Sequence, residues 1–317
     1  MLDQKSDELP EKERKTLLEK ILSPEHESFL SKRELIRKDH CALKAMNPCQ
    51  KCDGQGYIPV SRGVYAGADL CSCVVNCRIC LGNSLDVSSG DAVSCRRPSP
   101  FKRASLFNKS CVPARYARTK FELFSNQSGN CMEIVQKVKS WAYRFQPFGE
   151  MDQKGFILAG PVGCGKTYLL TTAVKALAHR GISAKFVDFY QLIAEIKASY
   201  SSRKGISDGL LESLLEVDVL AIDELGKGRR SDFEQTILDQ LVMGRYNQEK
   251  AIIASTNCSL APSDQKEEEY IGETQNFLKN PALNIAVGSR IYSRLSETTA
   301  FWTMNDQCED YRIHGGR

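Results

Sequence analysis

The sequence predicts a parallel α/β sheet flanked by helices and preceded by a small metal-stabilised domain, and three features of its 317 residues lead there. From about Met132, short apolar strands alternate with amphipathic helices, the rhythm of parallel strands joined by helical crossovers. The first of those strands runs directly into a glycine-rich loop. Ahead of this region, seven cysteines fall between Cys49 and Cys95, most of them in closely spaced pairs.

Apolar residues make up 42% of the chain and charged residues 26%, a balance that excludes a mainly disordered or low-complexity protein. No apolar run reaches the ~18–20 residues of a membrane-spanning helix, so no membrane partner is expected. The N-terminus is charged where a secretory signal would be apolar, so a cytoplasmic location is expected. A formal net charge of +4 leaves nucleic-acid binding open without demanding it.

Three segments are expected: a helical and metal-binding domain over residues 1–97, a linker over 98–130, and the α/β domain over 131–317. In the first 45 residues, Leu17, Leu18, Ile21 and Leu22 share one helical face, and Phe29, Leu30, Leu35 and Ile36 form a second group beyond Ser23-Pro24. Such faces pack on their own domain or dock a partner. Prolines at 98, 100 and 113 mark the connector.

Cys49 and Cys52 open a CxxCxGxGY stretch, and Cys71 and Cys73 follow as CxC. Cys77 and Cys80 form a second CxxC, with Cys95 beyond. In a reducing compartment such pairs read first as a metal site. Two thiolates a few positions apart grip one side of a tetrahedral ion, and the glycines let main-chain amides reach the sulfurs. Cys49 and Cys52 can share a zinc ion with Cys71 and Cys73 or with Cys77 and Cys80. A second ion would need a further ligand, from Cys41 or His40. Four thiolates leave no open position for water, so the zinc is expected to be structural and to replace a core that the segment is too short to build. The stretch resembles the cysteine knuckles of the DnaJ type.

Residues 156–159 form the first apolar strand of the α/β region, and Gly160-Pro161-Val162-Gly163-Cys164-Gly165-Lys166-Thr167 follows, with a helix expected over 168–179 from Tyr168. This is G-x-x-x-x-G-K-[ST] between a strand and a helix, the context that a phosphate loop requires. The glycines admit a close backbone approach, and the helix N-terminus aims free amides at phosphate. Lys166 would neutralise the β/γ charge of ATP, and Thr167 would ligand Mg2+. A second apolar strand ends in Asp223-Glu224. Asp223 would hold magnesium through water, and Glu224 would orient the attacking water or take its proton. That second carboxylate favours hydrolysis over transfer to a small acceptor, the reaction of a metabolic kinase. A third strand ends at Asn257, placed to hydrogen-bond the γ-phosphate or the water.

Arg290 and Arg294 are four apart on an expected helix and so share a face. Such a pair is either solvated or supplies an arginine that reaches a neighbouring subunit's γ-phosphate.

From about residue 112 to 312, the chain resembles the AAA+ ATPases of the DnaC/DnaI helicase-loader and IstB transposition-helper group. The matching pieces are Val112-Pro113-Ala114-Arg115-Tyr116, the Gly160-to-Thr167 loop, the strand ending in Asp223-Glu224, Ser255-Thr256-Asn257, the Arg290/Arg294 helix and Asp310-Tyr311-Arg312. The resemblance implies an AAA+ sheet without a C-terminal lid, and an ATPase that binds single-stranded DNA and forms ATP-dependent homo-oligomers. It implies that Arg294 acts in trans, with Arg290 as the alternative or as a sensor in its own subunit. A cysteine domain ahead of such an ATPase is similar in plan to the DnaI branch, where it grips the replicative helicase. For DNA, the resemblance points to Lys197, Tyr200, Arg203 and Lys204, with Arg229-Arg230 as a second candidate. An IstB-like helper of a transposase or phage replication system is the alternative function. Residues 259–284 are longer than the loaders usually carry at that point.

Overall fold

In a computed structural model, the residues described are 42–44, 49–53, 55–76, 85–86, 93–94, 100–147, 154–201, 206–228, 231–262 and 281–310. The helices expected in the first 45 residues lie outside them, as do Cys77, Cys80, Cys95 and residues 263–280. The chain divides into two compact units. The first comprises the described residues up to Val60, those of Gly67–Asn108, and His179–Gly181; the second comprises Ser61–Ala66 and the described remainder.

In the first unit, β1 (Ala42–Lys44) pairs antiparallel with the later β4 (Val74–Asn76). The hairpin strands β2 (Tyr57–Arg62) and β3 (Tyr65–Leu70) lie between them in sequence. Two short strands, β5 (Leu85–Asp86) and β6 (Val93–Ser94), pair with each other. Helix α1 (Pro100–Asn108) follows. Its Phe107 is fully buried against Tyr57, with ring centroids 6.4 Å apart. Asn108 at its end accepts from the Ala68 amide at 2.7 Å and donates to the Ala68 carbonyl at 3.3 Å, a two-bond pin on β3.

Residues 98–130 do not form the linker expected from their prolines. Residues 100–108 are helical and belong to the first unit, with Ala104 and Phe107 buried, and 109–130 belong to the second. Within the second unit, Val112 and Ala114 exchange main-chain hydrogen bonds with Ala66 and Val64 at 2.7 and 2.9 Å.

The second unit begins its regular structure with α2 (Cys131–Arg144). It continues through β7 (Gly155–Ala159), α3 (Lys166–His179), β8 (Ala184–Asp188), α4 (Phe189–Ser201), α5 (Ile206–Glu216) and β9 (Val219–Asp223). Then come α6 (Asp232–Asn247), β10 (Ala251–Thr256), α7 (Leu283–Val287), α8 (Ser289–Thr298) and β11 (Thr299–Thr303). The five strands form one parallel sheet in the order β11-β7-β10-β9-β8. This is the AAA+ parallel sheet with flanking helices expected from the sequence, and among the described residues no helix follows β11. Strands β7 and β9 are buried along their whole length, as continuous apolar runs covered on both faces must be. Helix α6 is capped by Ser231, whose hydroxyl accepts from the Glu234 amide at 3.3 Å, half of a capping box.

Arg245 on α6 is fully buried, and its guanidinium donates to the carbonyls of Leu214, Val217, Asp218 and Ala251 at 2.8–3.0 Å. Burial pulls its pKa down to about 10, which leaves it charged at neutral pH. One side chain thus ties the starts of β9 and β10 to the end of α5. The carboxyl ends of β7, β9 and β10 come together on the opposite rim, where parallel sheets place their ligands. No helix among the described residues is long and apolar enough to cross a membrane.

Candidate nucleotide site and thiol centre

The loop between β7 and α3 is where the sequence places it, and α3 begins at Lys166, two residues before the expected start, so its first turn carries Lys166 and Thr167. Gly165 sits at φ +106°, and a Cβ there would fall 2.6 Å from the Phe124 ring, so the loop path admits no side chain at this position. Lys166 is buried, and its ammonium donates to the carbonyls of Gly160 and Pro161 at 2.8 and 2.7 Å. Burial lowers its pKa, against the Cys164 thiol and the Asp223 and Glu224 carboxylates, which raise it. A lysine so placed has one strong use, which is to meet an anion that repays its desolvation.

Thr167 donates its hydroxyl to Asp223, 2.9 Å from Oδ2. Asp223 is also bonded by the Ser255 hydroxyl. Burial pushes its carboxyl pKa up, and these two donors oppose the shift. Glu224 follows in a left-handed conformation, φ +57°, unusual for a residue with a side chain. Its carboxylate is ion-paired with Lys227.

A cavity of about 590 Å³ opens over this rim. It is lined by the loop from Val162 to Tyr168, by Glu224 and Lys227, and by Ser255, Thr256 and Asn257. The structure therefore brings the loop, Glu224 and Asn257 to one cavity, with Asp223 beneath it on Thr167.

The remaining wall comes from residues that sequence reasoning left in a connector: Tyr116, Thr119, Phe124 and Asn126. This wall is anchored. Lys175 on α3 is buried and donates to the Ala117 and Thr119 carbonyls, both at 2.8 Å, and burial holds its pKa down at about 8. The Tyr168 hydroxyl donates to the Lys120 carbonyl at 2.8 Å, and its ring meets Phe124 edge-on at 5.5 Å. Asn126 donates to the Glu309 carbonyl at 3.0 Å and the Cys164 carbonyl at 3.4 Å. The signal that could have found this wall is the apolar Phe121-Glu122-Leu123-Phe124 cluster between polar residues.

The arginines lie elsewhere. Arg290 is exposed and 3.8 Å from Asp239, and the Arg294 guanidinium sits 5.0 Å over the Tyr246 ring. Neither is among the residues that line the cavity of its own chain. Of the DNA candidates, Lys197 pairs with Glu234 at 3.7 Å and lies over Phe233. The side chains of Tyr200, Arg203, Lys204, Arg229 and Arg230 fall outside the described residues.

In the first unit, the thiols of Cys49, Cys52, Cys71 and Cys73 all lie within 4.8 Å of one another. Two sulfur–sulfur separations are 3.7 and 3.5 Å. Four sulfurs held tetrahedrally at a zinc–sulfur distance of ~2.3 Å would be ~3.8 Å apart, so this donor set fits one four-coordinate ion. Gly56 donates its amide to the Cys52 sulfur at 3.3 Å, the contact that the knuckle glycines were expected to allow. The Lys51 amide brings the Cys49 thiol down to about 7, whereas burial raises Cys73. Among the described residues, Cys71 and Cys73 are the thiols that join Cys49 and Cys52; Cys77 and Cys80, the other grouping left open by spacing, lie outside them.

The model of the IstB-like ATP binding protein family matches residues 103–269. The replicative helicase loader DnaC of Buchnera aphidicola subsp. Baizongia pistaciae is 24% identical over 222 residues, covering 69% of this chain and 80% of that protein. DnaC of Escherichia coli K12 is 24% identical over 165 residues, 52% of this chain and 66% of that protein. Among solved structures, a DnaC helicase loader matches at 25% identity with a TM-score of 0.48, over 60% of this chain and 98% of that one.

Proposed function

Because the chain belongs to the IstB-like ATP binding protein family, a group of P-loop ATPases, we propose that it is an ATP-dependent helicase loader that assembles on single-stranded DNA and delivers a replicative helicase. One observation carries the reading: similarity to a protein named as a replicative helicase loader extends over 69% of the chain. In this reading Lys166 offsets the β/γ-phosphate charge, Thr167 and Asp223 hold magnesium, and Glu224 takes the proton of the attacking water while Asn257 orients it. Magnesium, when bound, neutralises charge on the phosphates. A second reading, which the ATP-binding description of the family fits equally, is an IstB-like ATPase helper of a transposase or phage replication system on duplex DNA.

The resemblance to the loader group implies ATP-dependent assembly, in which α8 of one chain would face the cavity of the next. Arg294 is proposed to reach a neighbour's phosphate. Arg294→Ala should spare ATP binding and lower hydrolysis by about tenfold or more, less than the ~10³–10⁵ of the best-studied arginine fingers because a loader turns over slowly. Mixing it with Lys166→Ala should recover activity, since each chain keeps what the other lacks. Absence of recovery at every ratio, with both variants folded and associating, contradicts a shared site.

The four thiols are proposed to hold a structural zinc, with the domain around them serving as the helicase contact. Cys49→Ser or Cys71→Ser should remove the metal and unfold that unit while ATP binding persists. Zinc-binding free energy of about 10 kcal/mol or more is folding energy for such a unit, whereas the ATPase sheet has its own core. Metal analysis of protein purified without chelator checks this, and a zinc-free wild type refutes it.

A further inference from the structure

We propose that Ser255 is a positioning residue that sets both carboxylate residues of the β9 turn with a single hydroxyl; this rests on the reading of Asp223 and Glu224 as the magnesium and water residues. Ser255 is 2% exposed and lies on β10, which runs parallel to β9 with Ala254 opposite Ile222, so it reaches the turn just where β9 ends. Its Oγ accepts a hydrogen bond from the Glu224 amide at 3.1 Å and donates its proton to Asp223 Oδ1. A hydroxyl has one proton to give and lone pairs to receive, so these two bonds use it in both senses at once.

The main chain completes the hold. The Leu225 amide donates to the Ser255 carbonyl at 2.7 Å, and the Thr256 hydroxyl donates to the Leu225 carbonyl at 2.7 Å. Glu224 between them is left-handed at φ +57°, a conformation that persists where neighbours over-determine it. Asp223 receives two hydroxyls, from Thr167 and Ser255. Of these, Thr167 is the one assigned to metal, so Ser255 is the donor that stays with the carboxylate. Alanine at 255 would leave the Glu224 amide without this acceptor and Asp223 without its fixed donor; threonine keeps the hydroxyl.

The test compares wild type with Ser255→Ala, Ser255→Thr and Glu224→Gln. It reads the affinity for a fluorescent ATP analogue with magnesium and with EDTA, the kcat and KM of hydrolysis, and the melting temperature. Ser255→Ala should bind the analogue normally in EDTA, lose several-fold of the gain that magnesium gives, and show kcat lower by about tenfold to a hundredfold, the scale at which a misplaced catalytic group costs rate. Ser255→Thr should restore both. The proposal is overturned if Ser255→Ala keeps wild-type kcat and magnesium response. It is also overturned if the variant unfolds or loses binding equally with and without magnesium, since the hydroxyl then serves the fold. A Glu224→Gln protein that hydrolyses at the wild-type rate instead removes the reading on which the proposal rests.

Discussion

Lys166→Ala should lower ATP affinity by about a hundredfold or more, the cost of leaving multiply charged phosphate without its buried cation. Lys166 is held by two carbonyls of its own loop and is already desolvated by its surroundings. Its two loop carbonyls and the nearby Asp223 and Glu224 carboxylates offset part of that burial, and the triphosphate in the cavity would offset more, so the lost affinity falls on the triphosphate. Labelled-ATP binding measures it. Removing the buried ammonium should not harm folding, and an unchanged or higher melting temperature beside lost binding would separate the two roles. Binding equal to wild type would place the phosphates elsewhere.

Glu224→Gln should bind ATP as wild type does and hydrolyse it about 10²–10³-fold more slowly, within the range of a lost general base. The amide keeps the size of the side chain but cannot take a proton from water. It also weakens the ion pair with Lys227, which lines the same cavity. That pair is partly exposed and contributes little stability, so the variant should remain folded. Phosphate release under saturating ATP distinguishes this outcome from that of Lys166→Ala. A rate within a factor of about two of wild type would remove Glu224 from the chemistry, because general-base losses are far larger.

The parts of the site legible in sequence were those built by local chain. The loop from Gly160 to Thr167 is a contiguous strand–turn–helix, Asp223 ends one apolar strand and Asn257 directly follows another, and the burial of those strands follows from composition. The cavity wall was not legible, because its bonds are long-range: Asn126 meets Cys164 and Glu309, positions 38 and 183 residues away. Prolines at 98, 100 and 113 signalled a connector, whereas Pro100 opens α1 and the segment from 109 packs in the second unit. Cysteine spacing pointed to a metal site but could not group the ligands. Cys71 and Cys73 join Cys49 and Cys52 through β2 and β3, a pairing that spacing alone does not encode. The shared face of Arg290 and Arg294 was visible from their four-residue interval. That the face meets Asp239 and Tyr246 on α6 was not.

Helicase loading is measured most directly by incubating the host's hexameric replicative helicase with covalently closed single-stranded DNA and ATP, with and without this protein, and quantifying helicase retained on the circles after gel filtration. Retention well above that of helicase alone, requiring ATP and lost in Lys166→Ala, is the predicted result. Retention no greater than helicase alone, from a preparation that hydrolyses ATP and carries its zinc, would contradict a loader and leave the duplex-DNA helper.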